Sequence, residues 1–200
     1  MIKLILFDLG GVLFTSGMNT FVDGVCRRYG IADKTLRELV DYGELGSLYR
    51  EGKITRDEFW KRVISTLNLK ETADELEREW IEGYHLIEGT KNLIEKLSKS
   101  YKVMFLSDNV KEREIALEKK YGFKSWFAGG IFSHEVGVRK PDPKVYKIAL
   151  EKAEEDAEET VFIDDKESSL IPARKMGMTT ILFESPEKLE KDLQTLGVLS

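Results

Sequence analysis

Three apolar segments, each ending abruptly in small polar or acidic residues, constrain the fold of this chain most strongly. The first, residues 2–7, reads IKLILF and is followed directly by Asp8. Residues 102–106 (KVMFL) and 160–163 (TVFI) have the same character and the same kind of ending. Segments that are apolar on both faces are typical of central parallel strands covered by helices on each side. The chain is therefore predicted to contain a buried parallel sheet.

The segments between these strands carry helical patterns with recognisable beginnings. Asp142 and Ser185 each precede a proline, which places a capping side chain before a proline at the first helical position. Weaker strand candidates lie at residues 131–133 and 179–183. Alternation of strand and helix predicts an α/β fold with a doubly wound, Rossmann-like parallel sheet. Ligands of such sheets bind beyond the carboxyl ends of the strands, so the acidic strand ends are the expected site.

Residues 15–87 interrupt this alternation, because they carry helical patterns without a convincing strand. One helix is predicted to follow Thr55, since Thr55 and Glu58 have the spacing of a capping box. We interpret residues 15–87, hereafter the helical segment, as a small helical domain inserted after the first strand and facing the active edge of the sheet. Residues 1–14 and 88–200 then form the core domain.

The composition of the 200-residue chain limits its partners and its location. A formal net charge of −5, with basic residues spread among acidic ones, gives no electrostatic reason to expect nucleic acid as a partner. Cys26 is the only cysteine, which excludes an internal disulfide. The apolar amino terminus is too short to span a bilayer and lacks the cleavage site of a signal peptide. We expect a cytoplasmic protein without membrane or nucleic-acid partners, and the sequence does not predict its oligomeric state.

The predicted strand ends bring chemically active side chains together. Asp8, Asp164 and Asp165 are carboxylates at the ends of buried strands, where they repel one another unless a cation or proton intervenes. A hard cation such as Mg²⁺ suits oxygen ligands of this kind. Lys140 lies in a loop just before a helix, and Ser107 ends a strand. A metal, a lysine and a hydroxyl around one carboxylate predict a phosphoryl-transfer site in which aspartate forms an aspartyl-phosphate.

Four stretches of the chain resemble the four ordered motifs of the haloacid dehalogenase-like hydrolase superfamily. They are FDLGGVL from Phe7, FLSDN from Phe105, VRKPDPKVY from Val138 and VFIDD from Val161. The resemblance covers the predicted core domain, whereas the helical segment matches the helical cap of that superfamily by position only. Because all four stretches occur in the right order, each on a predicted strand end or loop, the resemblance is specific.

The resemblance implies catalytic and substrate-binding roles for five residues. Asp8 is expected to be the nucleophile. Ser107 is expected to hold the phosphoryl oxygens, together with the neighbouring residues Asp108 and Asn109. Lys140 is expected to neutralise charge on the nucleophile and on the transferring group. The substrate is then a small phosphorylated metabolite.

The resemblance also implies a magnesium site. Asp8, the backbone carbonyl of Gly10 and Asp165 are expected to bind Mg²⁺ directly. Asp164 is expected either to bind the ion through water or to hold Lys140.

Gly10 departs from the pattern of this superfamily. Most of its phosphatases carry a second aspartate at this position, which protonates the leaving oxygen and then activates water. Gly10 retains only the backbone carbonyl. General acid–base catalysis typically contributes ~10²–10⁴-fold, which is about 3–5 kcal/mol of barrier.

Four interpretations are compatible with this departure. A phosphatase whose proton comes from another group, from water or from the substrate is favoured. A dehalogenase-like hydrolase needs no proton for its leaving halide, but such enzymes are metal-free, and the pair Asp164 and Asp165 argues against it. A phosphomutase also relies on the missing aspartate. A non-catalytic protein that binds metal or phosphate would be expected to have lost several positions rather than one.

The helical segment offers no recognisable recognition code. Within residues 43–54, Tyr49 and Arg50 are candidates to face a substrate, although a solvated helix end is the favoured interpretation. His85 and His134 are lone histidines without a matching partner, so both are expected to have structural or surface roles.

Overall fold

A computed structural model describes residues 1–199 and contains a five-stranded parallel sheet with the strand order β3-β2-β1-β4-β5. The strands are β1 (Leu4–Phe7), β2 (Lys102–Ser107), β3 (Gly129–Phe132), β4 (Thr160–Asp164) and β5 (Thr179–Leu182). Helices lie between the strands, so the predicted α/β fold with a doubly wound parallel sheet is confirmed.

The helices account for most of the remaining chain. Those of the helical segment are α1 (Gly17–Tyr29), α2 (Asp33–Arg37), a π-helical turn (Glu38–Tyr42), α3 (Glu44–Arg50), α4 (Arg56–Leu67) and α5 (Ala73–Glu82). The later helices are α6 (Glu88–Leu97), α7 (Lys111–Tyr121), α8 (Ser133–Val136), α9 (Pro143–Ala153), α10 (Glu167–Lys175) and α11 (Pro186–Thr195). Within residues 1–199, no helix combines the length and apolar character needed to cross a membrane.

The predicted helix beginnings carry the expected capping contacts. Asp142 accepts a hydrogen bond from the backbone N–H of Lys144 at the start of α9. The Thr55 hydroxyl accepts one from the backbone N–H of Glu58, whose carboxylate in turn accepts one from the Thr55 N–H. These contacts satisfy backbone donors that have no partner within the first turn of a helix.

The register of the central strands brings their carboxyl ends to one edge. Phe7 in β1 lies opposite Phe105 in β2 and Ile163 in β4. The pairing continues past β1, where the backbone N–H of Asp8 donates to the carbonyl of Ile163 at 2.9 Å. The residues that follow β1, β2 and β4 therefore lie close together at the carboxyl edge of the sheet.

Alternate residues of β1 point into two different apolar clusters. Ile5 and Phe7 belong to a large cluster that continues into the helical segment, where Phe21 and Trp80 stack with ring centroids 4.5 Å apart. The intervening residues of β1 belong to a smaller cluster on the other face of the sheet. One face of the sheet thus shares its core with the helical segment.

A buried ion pair links the helical segment to the rest of the chain. Glu77 in α5 accepts a hydrogen bond from Nε of Arg113 in α7 at 2.8 Å, and another from Nε1 of Trp60 at 2.6 Å. The Arg113 guanidinium also lies 3.6 Å from the ring centroid of Trp80. The charged groups are almost inaccessible to solvent.

The two connections between the helical segment and the rest of the chain lie side by side and are joined by backbone hydrogen bonds. The N–H of Thr15 donates to the carbonyl of His85 at 2.8 Å, and the N–H of Ile87 donates to the carbonyl of Leu13 at 2.8 Å. We call this paired backbone the neck.

Candidate active site

Three carboxylates meet at the carboxyl edge of the sheet. Asp8 follows β1, Asp164 ends β4 and Asp165 comes next in the chain. Each offers an oxygen within 4.8 Å of an oxygen of the others. The strand register therefore produces the acidic cluster that the sequence predicts.

Lys140 is buried among these acidic groups. Its Nζ lies 2.9 Å from Oδ1 of Asp8 and donates to Oδ2 of Asp164 at 2.6 Å. Burial disfavours the ammonium ion, but Asp164 and Asp8 outweigh it and hold the pKa of Lys140 well above its ordinary value. One lysine thus stays charged between two carboxylates.

Lys140 alone does not balance the negative charge of the three carboxylates. Burial raises the pKa of Asp8 to about 7, against the opposing effect of the Lys140 ammonium. Burial and the neighbouring Asp164 also raise the pKa of Asp165. Oδ1 of Asp165 is buried without a hydrogen-bond partner among the described residues. An orphaned carboxylate oxygen beside two other carboxylates fits a divalent cation with oxygen ligands.

The two glycines after the nucleophile candidate occupy different environments. Gly11 has φ +91°, and a Cβ at this position would overlap the carboxylate of Asp165, so glycine is required there. Gly10 does not have a positive φ, and the group nearest to an added Cβ is Cε1 of Tyr84 at 3.8 Å. The space beside Gly10 therefore tolerates a side chain.

The polar residues at the end of β2 have distinct contacts. Ser107 is buried and lines the cleft described below. Asp108 accepts a hydrogen bond from the backbone N–H of Lys140 at 3.1 Å, so it orients the lysine loop. The side chain of Asn109 accepts from the backbone N–H of Val110, at the start of α7.

His134 contacts the backbone that follows β2. Its Nδ1 lies 2.9 Å from the carbonyl of Asn109, and its Nε2 lies 3.0 Å from a carboxylate oxygen of Glu114. The Ser133 hydroxyl contacts the same Asn109 carbonyl at 3.3 Å and donates to the carbonyl of Arg50 at 2.7 Å. The backbone after β2 is thereby tied to the helical segment.

A cleft of about 380 Å³ contains all the predicted site residues except Asp164, which lies behind Lys140. The cleft is also lined by residues of the helical segment, namely Ser16, Met18, Asp41, Tyr42, Arg50 and Tyr84. Another groove, of about 450 Å³ near Lys3, contains none of the predicted site residues. The chemistry is therefore expected in the cleft that contains Asp8 and Lys140.

The prediction that Tyr49 and Arg50 form a solvated helix end is wrong. Tyr49 is buried, with its ring centroid 4.3 Å from that of Phe59. Arg50 is also buried, because it pairs with Asp41 and lines the cleft. Asp41 was not predicted as a cleft residue, because no sequence motif surrounds it.

Comparison with known proteins gives concordant matches along most of the chain. A family model described as haloacid dehalogenase-like hydrolase matches residues 2–177. The chain is 26% identical over 206 residues to the D-ribitol-5-phosphate phosphatase of Bacteroides thetaiotaomicron, with 98% of each chain covered. It is 26% identical over 178 residues to a sesquiterpene phosphatase of Aspergillus oryzae, with 88% of this chain and 87% of the other covered.

A solved structure with the same fold is a haloacid dehalogenase family enzyme of Bacteroides thetaiotaomicron, determined as a magnesium complex. The TM-score is 0.78 at 25% sequence identity, with 92% of this chain and 94% of that chain covered.

Proposed function

This chain belongs to the haloacid dehalogenase-like hydrolases, and on that premise we propose that it is a magnesium-dependent phosphatase acting on a small phosphorylated metabolite. The observation that carries the proposal is the buried lysine of the cleft, which contacts both Asp8 and Asp164. Beside it, Oδ1 of Asp165 has no hydrogen-bond partner within residues 1–199. Two relatives that are named as phosphatases and a family member solved with magnesium support the same assignment.

The first proposed step transfers the phosphoryl group to Asp8. A carboxylate oxygen of Asp8 attacks phosphorus, and the bond between phosphorus and the ester oxygen breaks. The departing oxygen takes a proton from water, from the substrate or from another group of the cleft, since Gly10 has no side chain to supply it. Lys140 stays charged and offsets negative charge on Asp8 and on the transferring group.

The second proposed step restores the enzyme. Water attacks the aspartyl-phosphate, which releases inorganic phosphate and regenerates the carboxylate of Asp8. Ser107 holds the phosphoryl oxygens through its hydroxyl, with Asn109 beside it. Asp108 keeps the backbone of Lys140 in place.

Magnesium, when bound, supplies positive charge beside the phosphoryl oxygens, and Asp8, Asp165 and the Gly10 carbonyl would hold it. Asp164 holds Lys140 at 2.6 Å. We further propose that the helical segment is a cap domain over a core formed by residues 1–14 and 88–200, since both contribute to the cleft.

Release of phosphate from p-nitrophenyl phosphate tests the proposed function. We expect turnover that requires Mg²⁺, is lost in excess EDTA and returns when Mg²⁺ is added back. Asp8→Asn should reduce turnover to background, because an amide is a poor nucleophile. Asp57→Asn is the matched control, since the Asp57 side chain is 89% exposed on the helical segment.

Two results would contradict the proposal in different ways. Full turnover in excess EDTA would point to a metal-free hydrolase of the dehalogenase type. Normal turnover by Asp8→Asn would remove Asp8 as the nucleophile.

A further inference from the structure

A buried ion pair in the cleft has no part in the proposed phosphoryl transfer. Asp41 and Arg50 are 8% and 7% exposed, and both line the cleft. Nη1 of Arg50 contacts Oδ1 of Asp41 and lies 3.2 Å from the backbone carbonyl oxygen of Asp41. Taking two charges out of water is costly, and apolar residues of similar size often replace such pairs without loss of stability. Stability alone therefore does not account for an ion pair at this position.

The backbone around Asp41 is built in an uncommon way. Asp41 lies in the π-helical turn Glu38–Tyr42, a conformation that is rare and frequent at functional sites. A Cβ on Gly43 would overlap the carbonyl oxygen of Glu38, and one on Gly46 would clash with the backbone of the turn. The two glycines thus let α3 pack closely against the turn that carries Asp41.

Both members of the pair retain hydrogen-bonding capacity. Among the residues that the structure describes, the Arg50 guanidinium donates only through Nη1, and Oδ2 of Asp41 accepts no hydrogen bond. None of these atoms is completely buried, and both residues line the cleft. The pair therefore offers N–H donors and a carboxylate acceptor side by side.

The largely buried cations of the cleft already have carboxylate partners. Arg50 pairs with Asp41, and Lys140 pairs with two carboxylates. Nε of Arg139 lies 3.4 Å from Oδ2 of Asp108. Arg139 also donates to the backbone carbonyl of Asp41 at 2.8 Å, and its Nη2 lies 3.7 Å from Oδ1 of Asp41. Lys166 lines the cleft and is exposed to solvent. Two arginines therefore hold the carboxylate of Asp41 in place on the wall of the cleft.

We propose that Asp41 and Arg50 form the subsite for the leaving group, and that they select phosphate monoesters of polyols or sugars over those of alkyl alcohols; this rests on the proposed phosphatase function. A hydroxyl both donates and accepts hydrogen bonds. Two neighbouring hydroxyls can therefore donate to Oδ2 of Asp41 and accept from the free N–H groups of Arg50. An alkyl chain would offer no hydrogen bond to Oδ2 of Asp41 or to the free N–H groups of Arg50.

Substrate preference in the unaltered protein gives the first test. We compare kcat/KM for an alditol phosphate and for the n-alkyl phosphate of equal chain length, both with Mg²⁺. The alditol phosphate should be preferred by about tenfold or more, the effect of one or two hydrogen bonds. Equal kcat/KM values for the two esters would overturn the proposal.

Asp41→Asn gives the second test. The variant should lower the ratio of alditol to alkyl phosphate kcat/KM by about tenfold, because an amide offers a weaker acceptor beside Arg50. Asp33→Asn is the control, since Asp33 also pairs with an arginine in the helical segment but is exposed and outside the cleft. An unchanged ratio in Asp41→Asn would overturn the role of Asp41.

Failure of the proposed function is distinguishable from failure of the subsite. A protein that releases no phosphate from p-nitrophenyl phosphate fails as a phosphatase. Calorimetric affinities of the Asp8→Asn protein for alditol and alkyl phosphates with Mg²⁺ then decide the subsite without turnover. Tighter binding of the alditol phosphate supports it, and equal affinities contradict it.

Discussion

Replacing Gly10 with aspartate should convert this chain into a better phosphatase for poor leaving groups. The structure sets a low cost for the change, because the backbone at Gly10 does not have a positive φ and an added Cβ would make an ordinary contact with Tyr84 at 3.8 Å. A positioned general acid contributes ~10²–10⁴-fold in general. Since the new carboxylate must share the cleft with the Tyr84 ring and with other acidic groups, we expect a gain of up to about 10²-fold, or roughly 3 kcal/mol.

The assay is kcat/KM across phosphate esters graded by the pKa of the leaving alcohol. The natural protein should show a steep dependence on that pKa, and Gly10→Asp should flatten it by accelerating the alkyl esters most. Gly10→Ala adds the Cβ without the acid and should give no gain. Gly11→Asp places the same carboxylate one residue later, where φ is +91° and the side chain would overlap Asp165, so it should abolish turnover.

Equal slopes for the natural protein and Gly10→Asp would refute this reasoning. Such a result would mean that another group already protonates the leaving oxygen. Tyr84 would then be the first residue to test, because its ring lies beside Gly10 and lines the cleft.

Two further predictions concern stability. Glu77→Gln should lower the free energy of unfolding by about 3–5 kcal/mol in urea denaturation, because it leaves Arg113 buried without its anionic partner. Glu79→Gln removes a partly exposed ion pair with Arg28 from the same helix and should change the free energy of unfolding by about 1 kcal/mol or less. Similar effects of the two variants would contradict the reasoning. Mg²⁺ at about 100 times its Kd should stabilise the natural protein by roughly 2.7 kcal/mol in thermal unfolding. Asp165→Asn should lose most of that gain, and an undiminished gain would exclude Asp165 as a ligand.

The sheet and the position of its acidic edge were predictable because they depend on local patterns. A strand such as β1, which is buried along its whole length, must be apolar on both faces, and its last apolar residue marks where the chain leaves the sheet. Asp8 and Asp164 occupy that boundary on neighbouring strands. Their proximity therefore follows from strand length and parallel pairing.

The part of the cleft that the helical segment contributes was not predictable in the same way. Helical periodicity indicates where a helix lies along the chain, but it does not determine how the helix is turned towards the sheet. The π-helical turn that carries Asp41 departs from that periodicity. Arg50 is polar and was therefore assigned to solvent, whereas its charge is satisfied by Asp41, nine positions earlier in the chain.

The neck has a consequence for the reuse of this scaffold. Because Thr15 and His85 are joined by a backbone hydrogen bond of 2.8 Å, the intervening residues begin and end at nearly the same point. A foreign segment with closely spaced ends can be joined there without stretching the sheet. The harder requirement is chemical, since any replacement must bring an anion to meet Arg113 where Glu77 now stands. Grafting a new specificity onto this sheet therefore depends less on the junction than on one carboxylate inside the segment that is replaced.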